Sequence, residues 1–340
     1  MNEVSHDSAA TGATSATPSA ASDTARGAAA RLPWIGASAI AVQTLDLASK
    51  VAASATTVLI TGESGTGKDQ LARWIHEQGP RRDSPFMKID CASLPPELVE
   101  SELFGHEKGA FTGAIATKPG RLEIALGGTI VLDEVAALAP GIQAKLLRVL
   151  EERIFERLGG SDPMRLNARL MALTNADLQR AVAAGRFRED LFFRLNVLAI
   201  EVPPLRARRD DIRLLAAHFL ERLSGVHGRA NLSFTDSAMQ LLETYDWPGN
   251  VRELRNAIEH AIIFAVGEEL HPEDFPAILQ AARGGRSPLS GLRSLEELER
   301  DAIRATLEAT RYKIGRTAEV LGISRKTLLE KRKKYGLLDK

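Results

Sequence analysis

The sequence predicts an α/β domain with a mostly parallel sheet, then a small helical domain and a separate helical unit. Short apolar, β-branched runs alternate with helical patterns as far as Pro203, which is typical of a parallel sheet covered on both faces. Beyond Pro204 only helical spacing of the apolar residues is found, up to about Phe275. Residues 283–291 are rich in Gly, Arg and Ser and predict a flexible linker.

The individual elements follow from the apolar runs and their spacing. The predicted strands are Thr57–Thr61, Phe86–Ile89, Thr129–Leu132, Leu170–Leu173 and Val197–Val202. The predicted helices are Ala39–Ala53, Asp69–Glu77, Ile142–Ile154, Asp211–Leu223, Thr235–Tyr245 and Asn250–Val266, followed after the linker by Leu295–Ala309. Asn250 is a candidate N-cap, because it follows a Trp-Pro-Gly turn.

Composition limits the class of protein. The chain has 340 residues, of which 44% are apolar, with 44 basic and 44 acidic residues, so any basic patch must be local. The single cysteine, Cys91, excludes an internal disulfide, and a buried structural thiol is favoured over a reactive one. No apolar run approaches the ~18 residues of a membrane span, so we expect a cytoplasmic protein without a membrane partner.

These observations predict five segments. The first is a disordered tail that is rich in Ala, Ser and Thr and lacks the features of a secretory signal. The predicted segments are a tail over 1–32, an α/β domain over 33–205, a helical domain over 206–276, a linker over 277–293 and a separate helical unit over 294–340.

A glycine-rich loop after the first strand is a candidate phosphate site. Residues 62–68 match G-x-x-x-x-G-K, in which backbone N–H groups face phosphate oxygens and the lysine reaches the terminal phosphates. A plain glycine turn is the alternative, but the strand before the loop and the helix after it favour a nucleotide site. The predicted phosphate-binding residues are Gly62, Glu63, Ser64, Gly65, Thr66, Gly67, Lys68 and Asp69.

Two acids at a strand end complete a hydrolytic site. Asp133 is placed to hold Mg²⁺ and Glu134 to orient the attacking water. Two solvated acids are the alternative, but four apolar residues before them indicate a buried strand. Asp69 stands where the general motif has Ser or Thr, so the metal contact would run through the Asp69 carboxylate, through water, or mainly through Asp133. Asp133 and Asp69 are the predicted metal-site residues.

Two arginines are candidates for the positive charge that phosphoryl transfer requires. Arg188 and Arg194 are six residues apart, and we expect both near one end of the same helix, facing different sides. Salt-bridged surface arginines are the default interpretation of such a pair on the residues alone.

The hexapeptide Gly109-Ala110-Phe111-Thr112-Gly113-Ala114, called the GAFTGA loop below, lies between the phosphate loop and the acids. A phenyl ring flanked by small residues has no evident use in a hydrolytic pocket. It suits the tip of a mobile lever that contacts a partner. The sequence therefore predicts nucleotide hydrolysis that is used to move another molecule.

The C-terminal unit predicts DNA binding. Helix Ile314–Leu321, a turn at Gly322 and helix Arg325–Lys334, capped by Ser324, have the spacing of a helix-turn-helix. From 311 to 340 there are ten Lys or Arg and three acids, a local charge of +7. A basic bundle for dimerisation alone is the alternative. Predicted DNA-binding residues are Ser324, with Arg325, Lys326 and Thr327 on bases and Arg316, Lys331 and Lys334 on phosphates.

In their order, the motifs resemble those of bacterial enhancer-binding proteins, the AAA+ activators of sigma-54 RNA polymerase of the nitrogen-regulation type. The matching segments are Gly62–Asp69, Glu102–Glu107, Gly109–Ala114, Leu132–Glu134, Phe187–Arg194 and Trp247–Leu254. The C-terminal unit resembles the Fis-type helix-turn-helix of this family. The resemblance covers about residues 33–275 and implies an AAA+ P-loop core with a helical lid. It also implies ATP and Mg²⁺ as cofactors and a ring, usually a hexamer, with ATP sites between subunits.

The resemblance implies a role for each matching residue. Lys68 would bind phosphate, Asp133 would hold Mg²⁺ and Glu134 would activate water. Asn175 would be the γ-phosphate sensor, and Arg252 would be the second sensor on the lid. Arg188 and Arg194 would reach the neighbouring subunit's nucleotide. Ile35 and Gly36 join the nucleotide-binding set. Phe111 and Thr112 match the loop tip that contacts sigma-54 and remodels the closed promoter complex.

Asp90 departs from the family pattern, which commonly has Asn at this position. That Asn is thought to hold the catalytic Glu away from water until the partner is engaged. An amide can donate a hydrogen bond to Glu134, whereas an ionised carboxylate repels it. We therefore expect this switch to be weakened, with ATP turnover that depends less on the partner.

The implied function is that of an activator which binds enhancer DNA and uses ATP hydrolysis to convert the closed sigma-54 promoter complex into the open one. Its partners would be sigma-54 RNA polymerase holoenzyme, enhancer DNA and other subunits, either copies of this chain or a related protein. Because only about 33 residues precede the core, we expect control by a trans-acting regulatory protein, by protein level or by mixed rings rather than by an attached receiver domain.

A different class of function stays open. The alternative is a helper or repressor subunit that binds DNA and ATP without opening promoters by itself, and Asp90 is the one feature that favours it. An AAA+ unfoldase or DNA remodeller would share the ATP motifs, but it would not be expected to carry the GAFTGA loop.

Overall fold

The computed structural model describes residues 34–229, 231–279, 300, 303–304, 306–307, 310, 312–335 and 337. It divides into two compact units. The first comprises the described residues up to Phe219 together with Asp246–Asn256, and the second comprises Leu220–Tyr245 and the described residues from Ala257 onward. The predicted tail and most of the predicted linker lie outside the described residues. In the described ranges, no helix has the length and apolar character needed to cross a membrane.

Strands and helices alternate along the first unit, and the elements of both units are numbered together in chain order. The strands are β1 Val58–Thr61, β2 Phe86–Asp90, β3 Gly105–His106, β4 Lys118–Pro119, β5 Thr129–Asp133, β6 Ile154–Phe155, β7 Met164–Arg165, β8 Arg169–Thr174, β9 Leu198–Glu201, β10 Ser233–Phe234 and β11 Glu269–Leu270. The helices are α1 Ala39–Ala52, α2 Lys68–Glu77, α3 Pro96–Phe104, α4 Arg121–Ile124, α5 Pro140–Glu152, α6 Leu178–Ala183, α7 Glu189–Leu195, α8 Asp211–Val226, α9 Asp236–Thr244, α10 Asn250–Phe264, α11 Ile314–Val320 and α12 Arg325–Lys334.

A parallel sheet of five strands, in the order β2-β5-β8-β1-β9, forms the centre of the first unit. All four neighbouring pairs run parallel, so the carboxyl ends of the five strands meet at one edge. The register places Asp90 opposite Asp133, and Thr61 opposite both Thr174 and Glu201. The predicted α/β fold with a parallel sheet is confirmed.

Two apolar cores cover the two faces of this sheet, because successive strand residues point to opposite faces. Leu59, Ile130, Leu132, Leu170 and Ala172 pack in one core with α3, α5, α6 and α7. Val58, Ile60, Val131, Met171 and Leu173 pack in the other with α1 and α2. Each of the larger side chains contributes about 1.5–3 kcal/mol when fully buried. The cores thereby fix the strand ends that carry polar residues.

Two short hairpin-like inserts interrupt the strand and helix alternation. β3 and β4 pair antiparallel and enclose the segment with the GAFTGA loop, and β6 and β7 pair antiparallel further along the chain. The two inserts are hydrogen-bonded to each other, since the Leu158 N–H donates to the Gly105 carbonyl at 3.0 Å and the Glu107 N–H donates to the Leu158 carbonyl at 2.9 Å. The base of the loop is therefore attached to the second insert.

The second unit contains a short strand pair that the sequence did not predict. β10 and β11 pair in parallel, so the expectation of helices alone between Asp210 and Phe275 is wrong. A two-residue strand has no periodicity that could reveal it.

Nearby, the Arg229 guanidinium donates to the carbonyls of Ile262, Ala265 and Gly267 at 2.6–2.7 Å and closes the end of α10.

The predicted helix-turn-helix is present as α11 and α12. Ile303, Leu307, Ala318 and Leu328 form its buried core, and Leu321 and Ile323 pack against them. The Ser324 hydroxyl accepts a hydrogen bond from the Thr327 N–H at 3.1 Å, which confirms the predicted cap. Most of the predicted helix over Leu295–Ala309 lies outside the described residues.

The helix predicted over Ile142–Ile154 has different ends in the structure. α5 begins at Pro140, which occupies its first turn, and ends at Glu152, before the C-cap residue Arg153, whose φ of 58° is left-handed. Proline suits a first turn and a left-handed residue stops a helix, so the helix cannot continue to Ile154, which lies in β6. Sequence periodicity did not reveal α3, α4 and α6, whose 9, 4 and 6 residues are too few for a clear pattern.

The start of α1 is fixed by one buried carboxylate. Asp211 is fully buried, and its Oδ1 accepts from the N–H groups of Ala37 and Ser38, both at 2.7 Å. Its Oδ2 accepts from the Ser38 hydroxyl at 2.9 Å. Gly36 leaves room for this contact, since a Cβ there would lie 3.0 Å from Asp211 Oδ2.

We expect Asp211→Ala to lower the free energy of unfolding by about 3 kcal/mol, because three donors, two of them buried, lose a charged acceptor. Asp210→Ala is the matched control, since Asp210 is the exposed neighbour in the same turn. Chemical denaturation of both variants checks this. Equal unfolding free energies for the two variants would show that the Asp211 contacts contribute nothing.

Candidate functional site

The carboxyl edge of the sheet and the start of α10 form one cleft in the first unit. Among the predicted residues, the cleft is lined by Ile35, Ser64, Gly65, Thr66, Gly67, Lys68, Asp69, Asp133, Glu134 and Arg252. Gly65 has φ of +79°, and a Cβ there would lie 2.3 Å from the Gly249 carbonyl oxygen. Only glycine therefore lets the phosphate loop lie against the Pro248-Gly249 turn.

Lys68 is the first residue of α2, and its side chain folds back over the phosphate loop. Its Nζ donates to the carbonyls of Gly62 at 2.9 Å and Glu63 at 3.1 Å. Burial lowers the pKa of Lys68, while the charges of Glu134 and Asp133 act in the opposite direction. The ammonium is thus held at the phosphate site by two carbonyls that phosphate oxygens can replace.

The two acids at the end of β5 have different environments. Asp133 Oδ1 accepts from the Glu134 N–H at 3.0 Å. Glu134 has a left-handed backbone, with φ of 52°, and its Oε2 accepts from the backbone N–H of Asn175 at 3.2 Å. The end of β8 therefore orients the Glu134 carboxylate through the main chain of Asn175.

Lys88, on β2, is a site residue that sequence reasoning missed. Its Nζ lies 2.6 Å from Asp69 Oδ2 and 2.7 Å from Asp133 Oδ2, so one ammonium joins both predicted metal ligands. Burial alone would lower the pKa of Lys88, but the hydrogen bonds to Asp133 and Asp69 outweigh it and the pKa is raised. The signal available in the sequence was a lysine two residues before the end of a strand that pairs with β5.

The donor set fits a magnesium ion that arrives with a nucleotide. Asp69 and Asp133 present carboxylate oxygens to the same point, which Lys88 Nζ marks. Within the described residues, no group of three or more His, Cys, Asp or Glu side chains forms a complete metal cage. Mg²⁺ bound with substrate phosphates usually takes one or two carboxylates from the protein.

The far end of the cleft is apolar and contains two unpaired donors. Trp34, Leu215 and Phe219 line it together with Arg208. The Arg208 guanidinium lies 5.1 Å from the Trp34 ring centre and donates to the Thr66 carbonyl at 2.7 Å. Arg208 Nε and Trp34 Nε1 are buried without a hydrogen-bond partner. A flat ring with acceptor nitrogens, such as a purine, suits this end.

Glu63 joins the phosphate loop to two distant segments. It accepts two hydrogen bonds from Arg206, at 2.8 and 2.5 Å, and one from Asn250 Nδ2 at 3.1 Å. These bonds, with that from Arg206 the strongest cause, lower the pKa of Glu63 to about 2. Asn250 also accepts from the Leu205 N–H at 2.8 Å. Its prediction as an N-cap is wrong, because its side chain binds the phosphate loop instead.

Arg252 reaches the phosphate loop from α10. Its guanidinium donates to the Ser64 hydroxyl at 2.9 Å, and its N–H donates to the Gly65 carbonyl at 3.3 Å. The position predicted for the second sensor therefore contacts the same loop as Lys68.

Arg188 and Arg194 lie away from the lining of this cleft. Arg188 is the N-cap residue of α7 and pairs with Asp190 at 2.6 Å. Arg194 lies in the last turn of α7 and donates to the Leu150 carbonyl at 3.0 Å. The expectation that both lie near one end of a helix is wrong, because α7 begins after Arg188 and spans only seven residues.

Asp90 is exposed at the end of β2. Its Oδ1 accepts from the N–H groups of Ala92 at 2.9 Å and Ser93 at 3.1 Å, which closes the turn that follows. Next to it, Cys91 is buried, and burial raises its pKa to about 12, which fits the predicted structural thiol. In this structure the Asp90 carboxylate is thus occupied by its own turn.

The GAFTGA loop projects from β3 and β4. Phe111, Thr112 and Gly113 are exposed, and the loop is closed by a hydrogen bond from the Gly109 N–H to the Ala114 carbonyl at 2.9 Å. The Phe111 ring lies 5.0 Å from the His106 ring, edge to face. Gly113 has φ of +114°, and no atom lies within 4 Å of the place a Cβ would take.

Charged side chains brace the base of this loop. Arg157, in the second insert, donates to Glu107 Oε1 at 2.7 Å and to Glu123 Oε1 at 2.6 Å. Lys118, at the other end of the loop, pairs with Glu102 at 2.5 Å. The tip is therefore free, while its base is held on two sides.

The DNA-binding candidates lie on α11 and α12. Arg316, Arg325, Lys326 and Lys334 are exposed, and Thr327 and Lys331 are half-buried. Ser324 is used in the cap of α12. Arg325 and Lys326 occupy the first turn of α12, the part of a recognition helix that meets base edges in helix-turn-helix proteins.

Three family models match the chain in succession. They are described as the sigma-54 interaction domain, over residues 34–201, the AAA+ ATPase lid domain, over residues 206–290, and bacterial regulatory protein, Fis family, over residues 294–335. The predicted AAA+ core, lid and Fis-type unit are confirmed by these matches.

Curated and solved relatives agree with the family models. The transcriptional regulatory protein ZraR of Salmonella typhimurium is 46% identical over 89% of this chain and 69% of ZraR. The regulatory protein AtoC of Escherichia coli is 46% identical over 85% of this chain, which spans 64% of AtoC's length.

The crystal structure of NtrX from Brucella abortus in complex with ATP is 34% identical to this chain. It matches with a TM-score of 0.73, over 92% of this chain and 72% of NtrX. On this evidence, the chain belongs to the family of sigma-54-dependent AAA+ transcriptional regulators that carry a Fis-type DNA-binding domain.

Proposed function

We propose that this chain binds enhancer DNA through α11 and α12 and hydrolyses ATP to remodel the closed sigma-54 RNA polymerase promoter complex into the open one. The observation that carries the proposal is the exposed tip of the GAFTGA loop on the same unit as the cleft with Lys68, Asp133 and Glu134. A nucleotide cleft alone would support ATP turnover. The loop supplies a surface through which turnover can act on a partner.

ATP binding at the cleft is an exchange of hydrogen bonds. Lys68 gives up the carbonyls of Gly62 and Glu63 for phosphate oxygens, and the N–H groups at the start of α2 face the same anion. When bound, Mg²⁺ neutralises charge on the phosphates. The Asn175 N–H fixes one oxygen of Glu134, so that the other can orient the attacking water.

A ring of subunits completes the site in this proposal. Arg188 is exposed, and its guanidinium pairs with Asp190 in the first turn of α7, so a neighbouring subunit's phosphate could compete for it. Arg194 is bound to a neutral carbonyl, a weaker partner than a phosphate. Both arginines would then act on the nucleotide of the adjacent subunit, in a hexamer of this chain or in a mixed ring.

The decisive test separates hydrolysis from remodelling. We expect Glu134→Gln to bind ATP but to lower its turnover at least about 100-fold, because the water loses its base. We expect Thr112→Ala to keep ATP turnover and to lose open-complex formation on a sigma-54 promoter. Thr112→Ser, which keeps the hydroxyl, is the matched control.

Promoter melting by sigma-54 polymerase with this protein and ATP is the measurement, with phosphate release recorded in parallel. ATP turnover without melting in the unaltered protein would reject the activator and favour the helper or repressor function. Melting that persists in Glu134→Gln would reject the catalytic assignment.

Trp34 provides a direct signal of nucleotide binding. Since it lines the cleft beside Arg208, we expect ATP to change its fluorescence. Trp34→Phe should abolish the change while Trp74 and Trp247 still emit, and Lys68→Ala should move the transition to higher ATP concentration. A signal that survives Trp34→Phe would place the nucleotide elsewhere.

Asp90 tests the proposed weakening of the switch. An Asn at this position can still accept from Ala92 and Ser93 through its carbonyl oxygen, and its amide can donate towards Glu134. We therefore expect Asp90→Asn to lower ATP turnover in the absence of sigma-54 and to increase the stimulation by sigma-54. Unchanged basal turnover and unchanged stimulation would dismiss the idea.

A further inference from the structure

Lys88 occupies the point at which the two proposed metal ligands meet. Its ammonium lies 2.6 Å from Asp69 Oδ2 and 2.7 Å from Asp133 Oδ2. Asp69 stands at the start of α2 and Asp133 at the end of β5, so the lysine joins two separate elements. About a third of the Lys88 side chain, 36%, is exposed, which leaves it a path towards solvent.

The other hydrogen bonds of the cleft leave these two oxygens to Lys88. Asp133 Oδ1 is already used by the Glu134 N–H at 3.0 Å. The second lysine of the cleft, Lys68, directs its hydrogen bonds at the carbonyls of Gly62 and Glu63. Within the described part of the chain, Lys88 is therefore the cation whose ammonium contacts both the Asp69 and the Asp133 carboxylates.

An ammonium and a magnesium ion cannot share this point. Mg²⁺ binds oxygens at 2.0–2.1 Å in a near-octahedral arrangement. An ammonium hydrogen-bonded to the same oxygen would then lie within a few ångströms of a doubly charged ion, where the repulsion is strong. Binding of the metal through Asp133 Oδ2 requires Lys88 to move.

We propose that Lys88 is a positioning residue that stands in for the metal, holding Asp69 and Asp133 together until the nucleotide brings Mg²⁺ and displaces it. The inference rests on the proposed function, which assigns Asp133 as the metal ligand. Metal entry is then an exchange of one cation for another, and the departing ammonium weakens the net affinity for the metal.

The direct test is metal affinity in the ADP-bound protein, with Mn²⁺ as the probe and electron paramagnetic resonance as the readout. We expect Lys88→Met, which keeps the length of the side chain without its charge, to bind Mn²⁺ about tenfold more tightly or better. Lys88→Arg should stay near the unaltered protein, because it keeps the competing charge. Lys50→Met, on the exposed end of α1, controls for the loss of one positive charge from the chain.

The second readout is the factor by which Mg²⁺ raises ADP affinity, measured through Trp34 fluorescence with and without EDTA. We expect this factor to grow in Lys88→Met and in Lys88→Gln. Equal or weaker Mn²⁺ affinity in both uncharged variants, with native thermal unfolding curves, would overturn the exchange. A Lys88→Met that does not fold leaves Lys88→Gln to decide by the same criterion.

A third variant separates this inference from the proposed function. Asp133→Asn should abolish specific Mn²⁺ binding in the ADP-bound protein. Mn²⁺ binding that survives Asp133→Asn would remove the metal assignment itself, and with it the basis of the inference. Loss of Mn²⁺ in Asp133→Asn, together with unchanged affinity in Lys88→Met, would reject the role of Lys88 and leave the site intact.

Discussion

Parallel pairing of the five strands is the constraint on which the site depends. Because the strands share one direction, the loops after β1, β2, β5, β8 and β9 all open at the same edge. The segments at this edge carry Lys68, the adjacent pair Asp133 and Glu134, and Asn175, which come from three separate parts of the chain. A single antiparallel strand in the centre would send one of these groups to the opposite edge. The two cores keep the strands in this order from either face.

Charged groups at this edge are satisfied by the chain itself. Lys68 is bound to carbonyls, Lys88 to two carboxylates and Arg252 to a hydroxyl. Each of these bonds is one that a phosphate or a metal ion can replace with a stronger one. These side chains are thus held in place by bonds within the chain, and part of the binding free energy of a nucleotide is used to break those bonds.

The motifs could be predicted from local sequence patterns, whereas the roles of residues whose partners lie far away in the chain could not. The phosphate loop, the acid pair and the capped helix α12 could be recognised because each is specified within about ten residues. Lys88 was not predicted as a site residue, because its partners Asp69 and Asp133 lie 19 and 45 positions away in the chain, on a helix and on another strand. Asn250 was misread for the same reason: a polar residue before a helix has the local features of a cap, whereas its partner, Glu63, is on the phosphate loop. Sequence spacing carries no information on such pairs before the sheet brings them together.

A glycine can be required by a positive φ, by a lack of space for a side chain, or by both, and Gly113 meets only the first requirement. At Gly65, a side chain is excluded by both the backbone angle and the nearby Gly249 carbonyl. At Gly113 the space is open, and only the positive φ opposes a side chain. A side chain at Gly113 is therefore opposed by the left-handed backbone and not by a lack of space. A D-amino acid introduced by chemical ligation would adopt this angle without strain, so the loop tip can carry a bulky reporter group of mirror-image configuration while keeping its backbone path.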